Sequence, residues 1–328
     1  MKIAFYSGEI GRQYASRIIE LLTNYAPHHQ YNHYAEQADS DIWHCMAPHD
    51  SLDLLFRASR SVISLNDMRF ITSPEIFSLS ERLFRFPLFR YHCRHAARII
   101  TNNSQARSRA IEALGLDEQR VEVCLPLHFS SRRPCESSVS SDELQETREK
   151  FELPDTYILI AGEIDTMHDH AVILHAIFSL PQSLNVVLYG RRTTHSDVLL
   201  KMVRDVGAAG RVQFIYEIAP SDLRSLYRMA LVVIYMPAFE SSILPIIEAL
   251  HQNVPMILSD TPLNREAAGK AAKYVESHNQ QQIADVLKSI LYDESYRGQL
   301  IAQYWAEARR YSQESLSEQL SRIYESVE

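Results

Sequence analysis

The chain has 328 residues, a formal net charge of −8 and 46% hydrophobic residues, which together are typical of a soluble globular protein with two domains. The negative charge argues against nucleic acid as a general partner. No apolar run approaches the roughly 18 residues of a membrane span, and the N-terminal sequence lacks the apolar stretch of a signal peptide. The scattered cysteines predict free thiols in a cytoplasmic protein rather than disulfides or a zinc site: Cys45, Cys93, Cys124 and Cys135.

Short apolar runs alternate with amphipathic helical segments along the first part of the chain. A helix is predicted over 12–25, with Ile18, Leu21 and Leu22 on one face. Strands are predicted at residues 3–6, 41–45, 61–65, 98–101 and 121–125. The order of strand and then helix predicts a parallel sheet whose crossover helices cover its faces.

This alternation stops at residues 130–154, whose polar composition predicts a linker followed by a polar helix. A second series of strands is predicted at 157–163, 185–190, 211–217, 231–236 and 254–259. The sequence therefore predicts two Rossmann-like, doubly wound α/β domains, residues 1–150 and 151–328. Ligands of such sheets bind at the carboxyl ends of the strands, so we expect the site in the cleft between the two domains.

The last segment, residues 309–328, is predicted to form a terminal helix. Leu316, Leu320, Ile323 and Val327 recur there at helical spacing. The residues leave two placements open: the helix caps the second domain, or it crosses back to support the first.

The segment FESSILPIIEAL (239–250) predicts a helix N-terminus at the carboxyl edge of the second sheet. Pro245 suits the first turn, and Ser241 and Ser242 are placed to cap it. Free N–H groups there would favour a diphosphate, while Glu248 could accept hydrogen bonds from a ribose and Glu240 from a sugar. The alternative is that both glutamates lie near a helix N-terminus only because anions are stable there.

The longer stretch FESSILPIIEALHQNVPMILSDTPLNREAAGKAAKYV resembles the signature of family 4 glycosyltransferases, which have the GT-B fold. That signature has two glutamates separated by seven residues, a Pro-Val-type strand ending in Ser, and a downstream Glu-x-x-Gly. The matching residues are Glu240, Glu248, Pro255, Ser259, Glu266 and Gly269. The segments GRVQFIYEIAPSDLRSLYRMA, RRYSQESLSEQL, GEIGRQYASRIIELL and VISLNDMRFITSPEIFS are also similar to family segments, so the resemblance covers nearly the whole chain.

The resemblance implies a retaining transferase that takes a sugar from a UDP- or GDP-sugar without a metal ion. The acceptor would be a glycan or a lipid-linked glycan in surface polysaccharide assembly. Glu248 would bind the ribose and Glu240 the transferred sugar. Gly11 would let the first loop approach the donor, and Asp67 would shape the acceptor side. The family's terminal helix crosses back to the first domain.

The sequence departs from the family pattern at three places. Ser241, Ser242 and Ile243 replace a Gly-Phe-Gly, which removes backbone freedom, and Asn66 replaces a histidine that can take a proton. In the loop after the strand at 157–163, the family usually carries an Arg or Lys pair that neutralises the diphosphate. This chain has Glu163, Met167, His168 and Asp169 there.

These departures leave two functions open, an active transferase and a catalytically degenerate homologue that acts as a scaffold subunit. Arg191 and Arg192, after the strand at 185–190, are a candidate replacement for the basic pair, although a solvated turn is the favoured interpretation. His168, Asp169 and His170 resemble metal ligands, but neighbouring residues of one loop rarely chelate together, so a solvated loop is predicted.

Residues 81–98 carry five arginines against one glutamate, with aromatic residues between them. Two interpretations have equal weight. The segment contacts anionic lipid at the inner face of a membrane, or it is an ordinary charged helix with a buried aromatic face. Pro87 is expected to kink or divide it.

Overall fold

The computed structural model of the chain describes residues 1–6, 8–33, 39–46, 57–65, 77–124, 139–180, 184–237 and 242–327. The chain forms two compact units, of which the first comprises Met1–Phe129 and Arg310–Glu328 and the second Ser130–Arg309. Each unit contains a six-stranded sheet in which every recorded pairing is parallel. The predicted α/β architecture with two doubly wound domains is therefore confirmed.

The first sheet has the order β2-β1-β3-β4-β5-β6. Its central strands are rich in β-branched and aromatic residues that are buried on both faces, as parallel sheets require. The strands are β1 Lys2–Tyr6, β2 Gln30–His33, β3 Ile42–Cys45, β4 Ser61–Leu65, β5 Arg98–Thr101 and β6 Val121–Val123. The α-helices among the described residues of this part of the chain are α1 Gly8–Tyr25, α2 Leu79–His95 and α3 Ser104–Leu114.

The second sheet has the order β12-β11-β10-β7-β8-β9. The strands are β7 Ile158–Ala161, β8 Val186–Tyr189, β9 Val212–Ile215, β10 Val232–Tyr235, β11 Met256–Ser259 and β12 Lys273–Val275. Between and around them lie α4 Ser141–Phe151, α5 His170–Phe178, α6 Thr194–Asp205, α7 Pro220–Arg228, α8 Leu244–Gln252, α9 Pro262–Ala268, α10 Gln280–Tyr292, α11 Glu294–Ile301 and α12 Tyr304–Arg309. The last helix of the chain is α13 Gln313–Glu325.

The division between the units differs from the predicted boundary at residue 150. Helix α4 belongs to the second unit, because Lys150 forms an ion pair with Asp222 at 2.5 Å and the carbonyl of Phe151 accepts a hydrogen bond from Gln213. The polar helix predicted near residues 142–154 is therefore present, but it packs on α7 rather than ending the first domain.

Helix α13 packs on the first unit, as the GT-B resemblance implied, rather than extending the second domain to residue 328. Leu316, Leu320 and Ile323 lie in the core beneath α1. The hydroxyl of Tyr324 is 2.7 Å from Nδ1 of His44, whose Nε2 is 2.7 Å from Oγ of Ser64. Burial lowers the pKa of His44 to about 3, so this imidazole is neutral at pH 7.

Of the two effects expected of Pro87, division is excluded, because α2 continues through this residue, whereas the kink stays a prediction. The helix begins with a capping box formed by Ser78 and Glu81. Only its second half is anchored, since its buried residues are Phe89, His92 and Cys93. No helix in the described part of the chain is long and apolar enough to cross a membrane.

The Tyr324–His44 hydrogen bond generates a prediction about stability. Tyr324→Phe leaves a fully buried imidazole nitrogen without its partner, and we expect a loss of about 1–3 kcal/mol in the free energy of unfolding. Urea denaturation of the variant measures the loss. Tyr91→Phe, at a tyrosine that is 39% exposed in the same unit, is the control, with an expected change within about 0.5 kcal/mol. Equal losses in both variants would contradict the assigned role of His44.

Candidate functional site

The second sheet reverses its strand order between β7 and β10. From β7 the chain proceeds outward to β8 and β9, and it then returns to place β10 on the other side of β7. At such a switch point the following loops separate and leave a crevice at the carboxyl ends of the strands. The loop after β7 runs to the start of α5, and the loop after β10 runs to α8 and includes residues 238–241, which lie outside the described residues.

The two loops are joined to each other and to β11. His168 and Pro237 form an isolated antiparallel bridge. The buried hydroxyl of Ser259 donates a hydrogen bond of 2.8 Å to the carbonyl of Pro237, and the Asn264 side chain donates to the carbonyl of Ser259 at 2.9 Å. The beginning of the β10 loop is therefore held in place from two directions.

Glycine is required at the first position of the β7 loop. Gly162 has φ of +119°, and a Cβ atom there would lie 2.9 Å from Cδ2 of His168 and 3.1 Å from Cε2 of Tyr235. A Cβ atom on Gly190, at the end of β8, would lie 1.8 Å from the carbonyl oxygen of Gly162. The missing side chains let the imidazole of His168 pack directly against the ends of β7 and β10.

His168, which is buried, forms a pair with the partly exposed Asp165 within this loop. Nδ1 of His168 is 2.8 Å from Oδ1 of Asp165, and the His168 side chain is only 7% exposed. Burial alone would raise the pKa of Asp165, but hydrogen bonds from His168 and the backbone N–H of Met167 lower it. Among the described residues, Nε2 of His168 has no hydrogen-bond partner. A protonated imidazole whose Nδ1 donates to Asp165 can donate a second hydrogen bond from Nε2 to an anionic ligand.

Asp169 and His170 are also buried, so the predicted solvated loop is wrong. Oδ1 of Asp169 lies 2.7 Å from Nδ1 of His278, and Oδ2 accepts a hydrogen bond of 2.9 Å from the His278 backbone. His278 adopts φ of +61° to make both contacts. Burial, with the nearby His168, lowers the pKa of His170 to about 4. The three adjacent residues contact different partners and do not converge on one point.

Glu163 and Arg191 form an ion pair across the ends of β7 and β8. Nη2 of Arg191 is 2.8 Å from Oε2 of Glu163, with the two side chains 72% and 51% exposed. Arg192 pairs instead with Asp197 at 3.1 Å and lies over the ring of Tyr216. The carboxylate of Glu163, which the sequence presented as unfavourable beside a diphosphate, therefore carries its own counterion.

Glu248 is buried within α8 and is 2% exposed. Burial raises the pKa of Tyr189 and of Tyr227, and the charge of Glu248 raises both further. Tyr189 is the last residue of β8, so the charge of Glu248 acts on a side chain at the carboxyl end of that strand. The predicted helix with Pro245 in its first turn is present.

The N-terminus of α8 differs in detail from the sequence prediction. Ile243 occupies the cap position, and Oγ of Ser242 accepts a hydrogen bond of 3.2 Å from the N–H of Leu244. The carbonyl of Ser242 accepts a hydrogen bond of 2.7 Å from Tyr235, which fixes the end of the loop to β10. Ser242 therefore satisfies one N-terminal donor, whereas Ser241 lies outside the described residues.

Four predicted site residues remain: three lie outside the described residues, and one lies in a helix. Glu240, Asn66 and Asp67 lie outside the described residues. Gly11 lies inside α1, which begins at Gly8, so the expected loop at this position is helical and the predicted helix start at residue 12 is four residues late. Asp165, Tyr189 and His278 are not among the site residues predicted from the sequence. The D-x-x-H spacing could have indicated Asp165, but no local pattern indicates His278.

The architecture and the sequence comparisons agree. HepE of Anabaena, in a crystal structure with UDP, superposes with a TM-score of 0.72 over 99% of this chain and 100% of its own, at 15% sequence identity. This likeness defines the chain as a GT-B protein. The sequence profile described as "Glycosyl transferases group 1" matches residues 142–305, which is half of the chain. The chain therefore belongs to the glycosyl transferases group 1 family, and the predicted family resemblance is confirmed.

Two relatives are described as O-antigen chain mannosyltransferases. RfbU of Salmonella typhimurium is 24% identical over 244 residues, covering 74% of this chain and 63% of the relative. Mannosyltransferase B of Escherichia coli is 24% identical over 276 residues, covering 82% of this chain and 71% of the relative. The chain thus matches less than two thirds of the first relative's length.

The packing at Gly162 leads to a prediction about stability. Gly162→Ala adds a Cβ atom at an unfavourable φ and against His168, and we expect a loss of about 2–3 kcal/mol in the free energy of unfolding. Gly207→Ala is the matched control, because Gly207 has φ of +70° and a Cβ atom there meets no described atom within 4 Å. Its expected loss is about 1 kcal/mol. Urea denaturation compares the two, and a smaller loss for Gly162→Ala would show that the close packing is wrongly assigned.

Proposed function

We propose that the chain is a retaining glycosyltransferase that moves a sugar from a UDP- or GDP-sugar to a glycan or lipid-linked acceptor during surface polysaccharide assembly. The O-antigen mannosyltransferase relatives support the class of acceptor and HepE, bound to UDP, supports a nucleotide donor. The observation that carries the proposal is the Asp165–His168 pair at the switch point, where the donor diphosphate is expected: the ring is buried, and its Nε2 has no hydrogen-bond partner among the described residues.

In this proposal His168 takes the place of the basic pair that related transferases usually carry. Asp165 accepts a hydrogen bond from Nδ1 and holds the ring in one orientation, and Nε2 of the protonated ring donates to a diphosphate oxygen. The N–H groups at the start of α8 and the guanidinium of Arg191 add positive potential. Transfer breaks the bond between the sugar and the diphosphate, forms a bond to the acceptor oxygen, and leaves the acceptor proton on the released diphosphate.

The other predicted roles complete this proposal. Glu248 binds the ribose, and Glu240 contacts the transferred sugar. Asn66 and Asp67 shape the acceptor side. Transfer proceeds without a metal ion, since the charge on the diphosphate is stabilised by the groups named above.

A transfer assay tests the proposal directly. UDP-glucose and GDP-mannose, each supplied with a lipid-linked glycan acceptor, should give glycosylated product with at least one donor. Product formation should be the same with EDTA present, and the product linkage should retain the donor's anomeric configuration. A millimolar Kd corresponds to a binding free energy of only about −4 kcal/mol. If neither donor binds or reacts at about that concentration, the scaffold hypothesis is favoured over the transferase.

The role of His168 generates a binding prediction. His168→Gln keeps a hydrogen-bonding side chain but cannot carry charge, so we expect UDP or GDP affinity to fall about tenfold, the loss of one charge-assisted hydrogen bond. Isothermal titration calorimetry measures the change.

His175→Gln, at an exposed histidine on the helix that follows the same loop, is the control and should bind as the native chain does. Glu248→Gln should also weaken nucleotide binding if the carboxylate accepts from the ribose. Affinity that is unchanged in both His168→Gln and Glu248→Gln would contradict this placement of the donor.

We further propose that α2 contacts anionic lipid at the membrane where the acceptor is assembled. Leu79, Leu83 and Phe84 are 65%, 61% and 77% exposed, and Arg82 and Arg85 lie beside them on the first two turns. Apolar side chains that enter the lipid interface, flanked by cations that pair with phosphate headgroups, are typical of peripheral membrane helices.

This surface can be tested by vesicle cosedimentation. Leu83→Ser with Phe84→Ser should reduce binding to vesicles that contain phosphatidylglycerol, because both apolar side chains are removed. Val198→Ser, which is 58% exposed on α6, is the control and should bind normally. Binding of the native chain should fall with added salt. Native binding that is absent, or that the double variant retains, would contradict the membrane contact.

A further inference from the structure

Two adjacent histidines and a distant glutamate meet at one edge of the first unit. His28 and His29 lie in the turn that follows α1 and leads into β2. Glu325 is the last residue of α13, which packs against α1. The close packing of these two helices brings the glutamate to the histidines across almost the entire length of the chain.

The ligand atoms of these three residues are close enough to share one ion. Nε2 of His28 is 3.5 Å from Oε1 of Glu325, and Nε2 of His29 is 3.6 Å from the same oxygen. All three atoms lie within 4.8 Å of one another. Zinc bonds of about 2.0–2.1 Å in tetrahedral geometry separate neighbouring ligand atoms by roughly 3.3–3.5 Å. The two histidine–glutamate distances are already near that value.

The surroundings of His29 also indicate a ligand. Its side chain is only 7% exposed, and Nε2 has no hydrogen-bond partner among the described residues. The ring is fixed by contacts with the rings of His28, at a centroid distance of 4.0 Å, and Tyr31, at 6.2 Å. A buried imidazole nitrogen without a hydrogen bond is unfavourable, and a metal ion would satisfy it.

We propose that His28, His29 and Glu325 form a binding site for a divalent transition-metal ion, with Zn²⁺ as its most suitable occupant. Two imidazoles and one carboxylate favour zinc and similar ions over Mg²⁺ and Ca²⁺, which prefer oxygen ligands. His28 and Glu325 are 57% and 53% exposed, so the ion can enter from solvent and keep a water in its fourth position.

Such an ion would join the turn before β2 to the end of α13. It would bind the folded first unit and not the unfolded chain, in which residues 28 and 325 are far apart. The site would therefore stabilise the packing of the terminal helix, and this stabilisation would grow with the logarithm of metal concentration above Kd. This role is structural, and it is independent of the transfer reaction proposed above.

Metal titration of the full chain tests the site. The chain is first treated with a chelator, which is then removed. Calorimetry should show one Zn²⁺ ion bound tightly per chain, and Zn²⁺ should raise Tm by a few degrees. Co²⁺ in its place should give the visible absorption bands of a tetrahedral site. His28→Ala and Glu325→Gln, at half-exposed positions that leave the core intact, should each weaken Zn²⁺ binding at least about tenfold and abolish the rise in Tm.

Two variants control for adventitious binding by other surface groups. Glu318→Gln changes an exposed carboxylate of the same helix, and His95→Ala changes an exposed histidine of the same unit. Both should bind Zn²⁺ as the native chain does. The proposal is overturned if the native chain shows no tight equivalent, in which case the three residues form only ion pairs. It is also overturned if His28→Ala and Glu325→Gln bind Zn²⁺ normally.

Discussion

The backbone at Gly162 is the constraint on which the rest of the candidate site depends. Its carbonyl lies where a side chain on Gly190 would be, and its own missing Cβ leaves room for the ring of His168. Only because both residues are glycines can the chain turn sharply at the ends of β7 and β8 and bring the ring against Tyr235. The bridge between His168 and Pro237 follows from this turn. The loop after β10 then starts from a fixed point.

The negative charges of the loop after β7 are compensated by nearby basic side chains, although the sequence of the loop is acidic. Its acidic residues each have a basic partner: Glu163 with Arg191, Asp165 with His168, and Asp169 with His278. The first of these pairs is exposed and is worth at most about 1 kcal/mol, so separating Arg191 from Glu163 costs little. The other two pairs are buried on at least one side and hold the loop in shape. The proposed function depends on this pairing, because it leaves the acidic loop with compensated charges.

Much of the fold could be predicted from the sequence, because its central strands are strongly apolar. The predicted strand over residues 61–65 matches β4, and the one over 98–101 matches β5. Strands β2, with the sequence QYNH, and β12, with KYV, were missed. Both lie at sheet edges, where one side of the strand needs no partner and the apolar pattern is short.

The candidate site was less predictable, for a physical reason. Motif spacing indicated Glu248 and the helix that carries it, because helix starts and apolar periodicity are local properties. The buried state of His168 and Asp169 depends on partners at other strand ends, and His278 is 109 residues from Asp169. Polar composition alone therefore suggested a solvated loop. Pairings between distant loops decide burial, and a single sequence does not contain a local signal for them.

The position of α13 has a consequence for how the first unit folds. His44 lies on a central strand, and both of its nitrogens must be satisfied because burial keeps the ring neutral and dry. One partner, Ser64, is nearby in sequence, but the other, Tyr324, is 280 residues away. Arg98 of β5 likewise donates to Ser326 at 2.9 Å. The core of the first unit therefore stays incomplete until the last residues of the chain arrive. Since the second unit is made entirely from intervening residues, it can complete its own core before the first unit does.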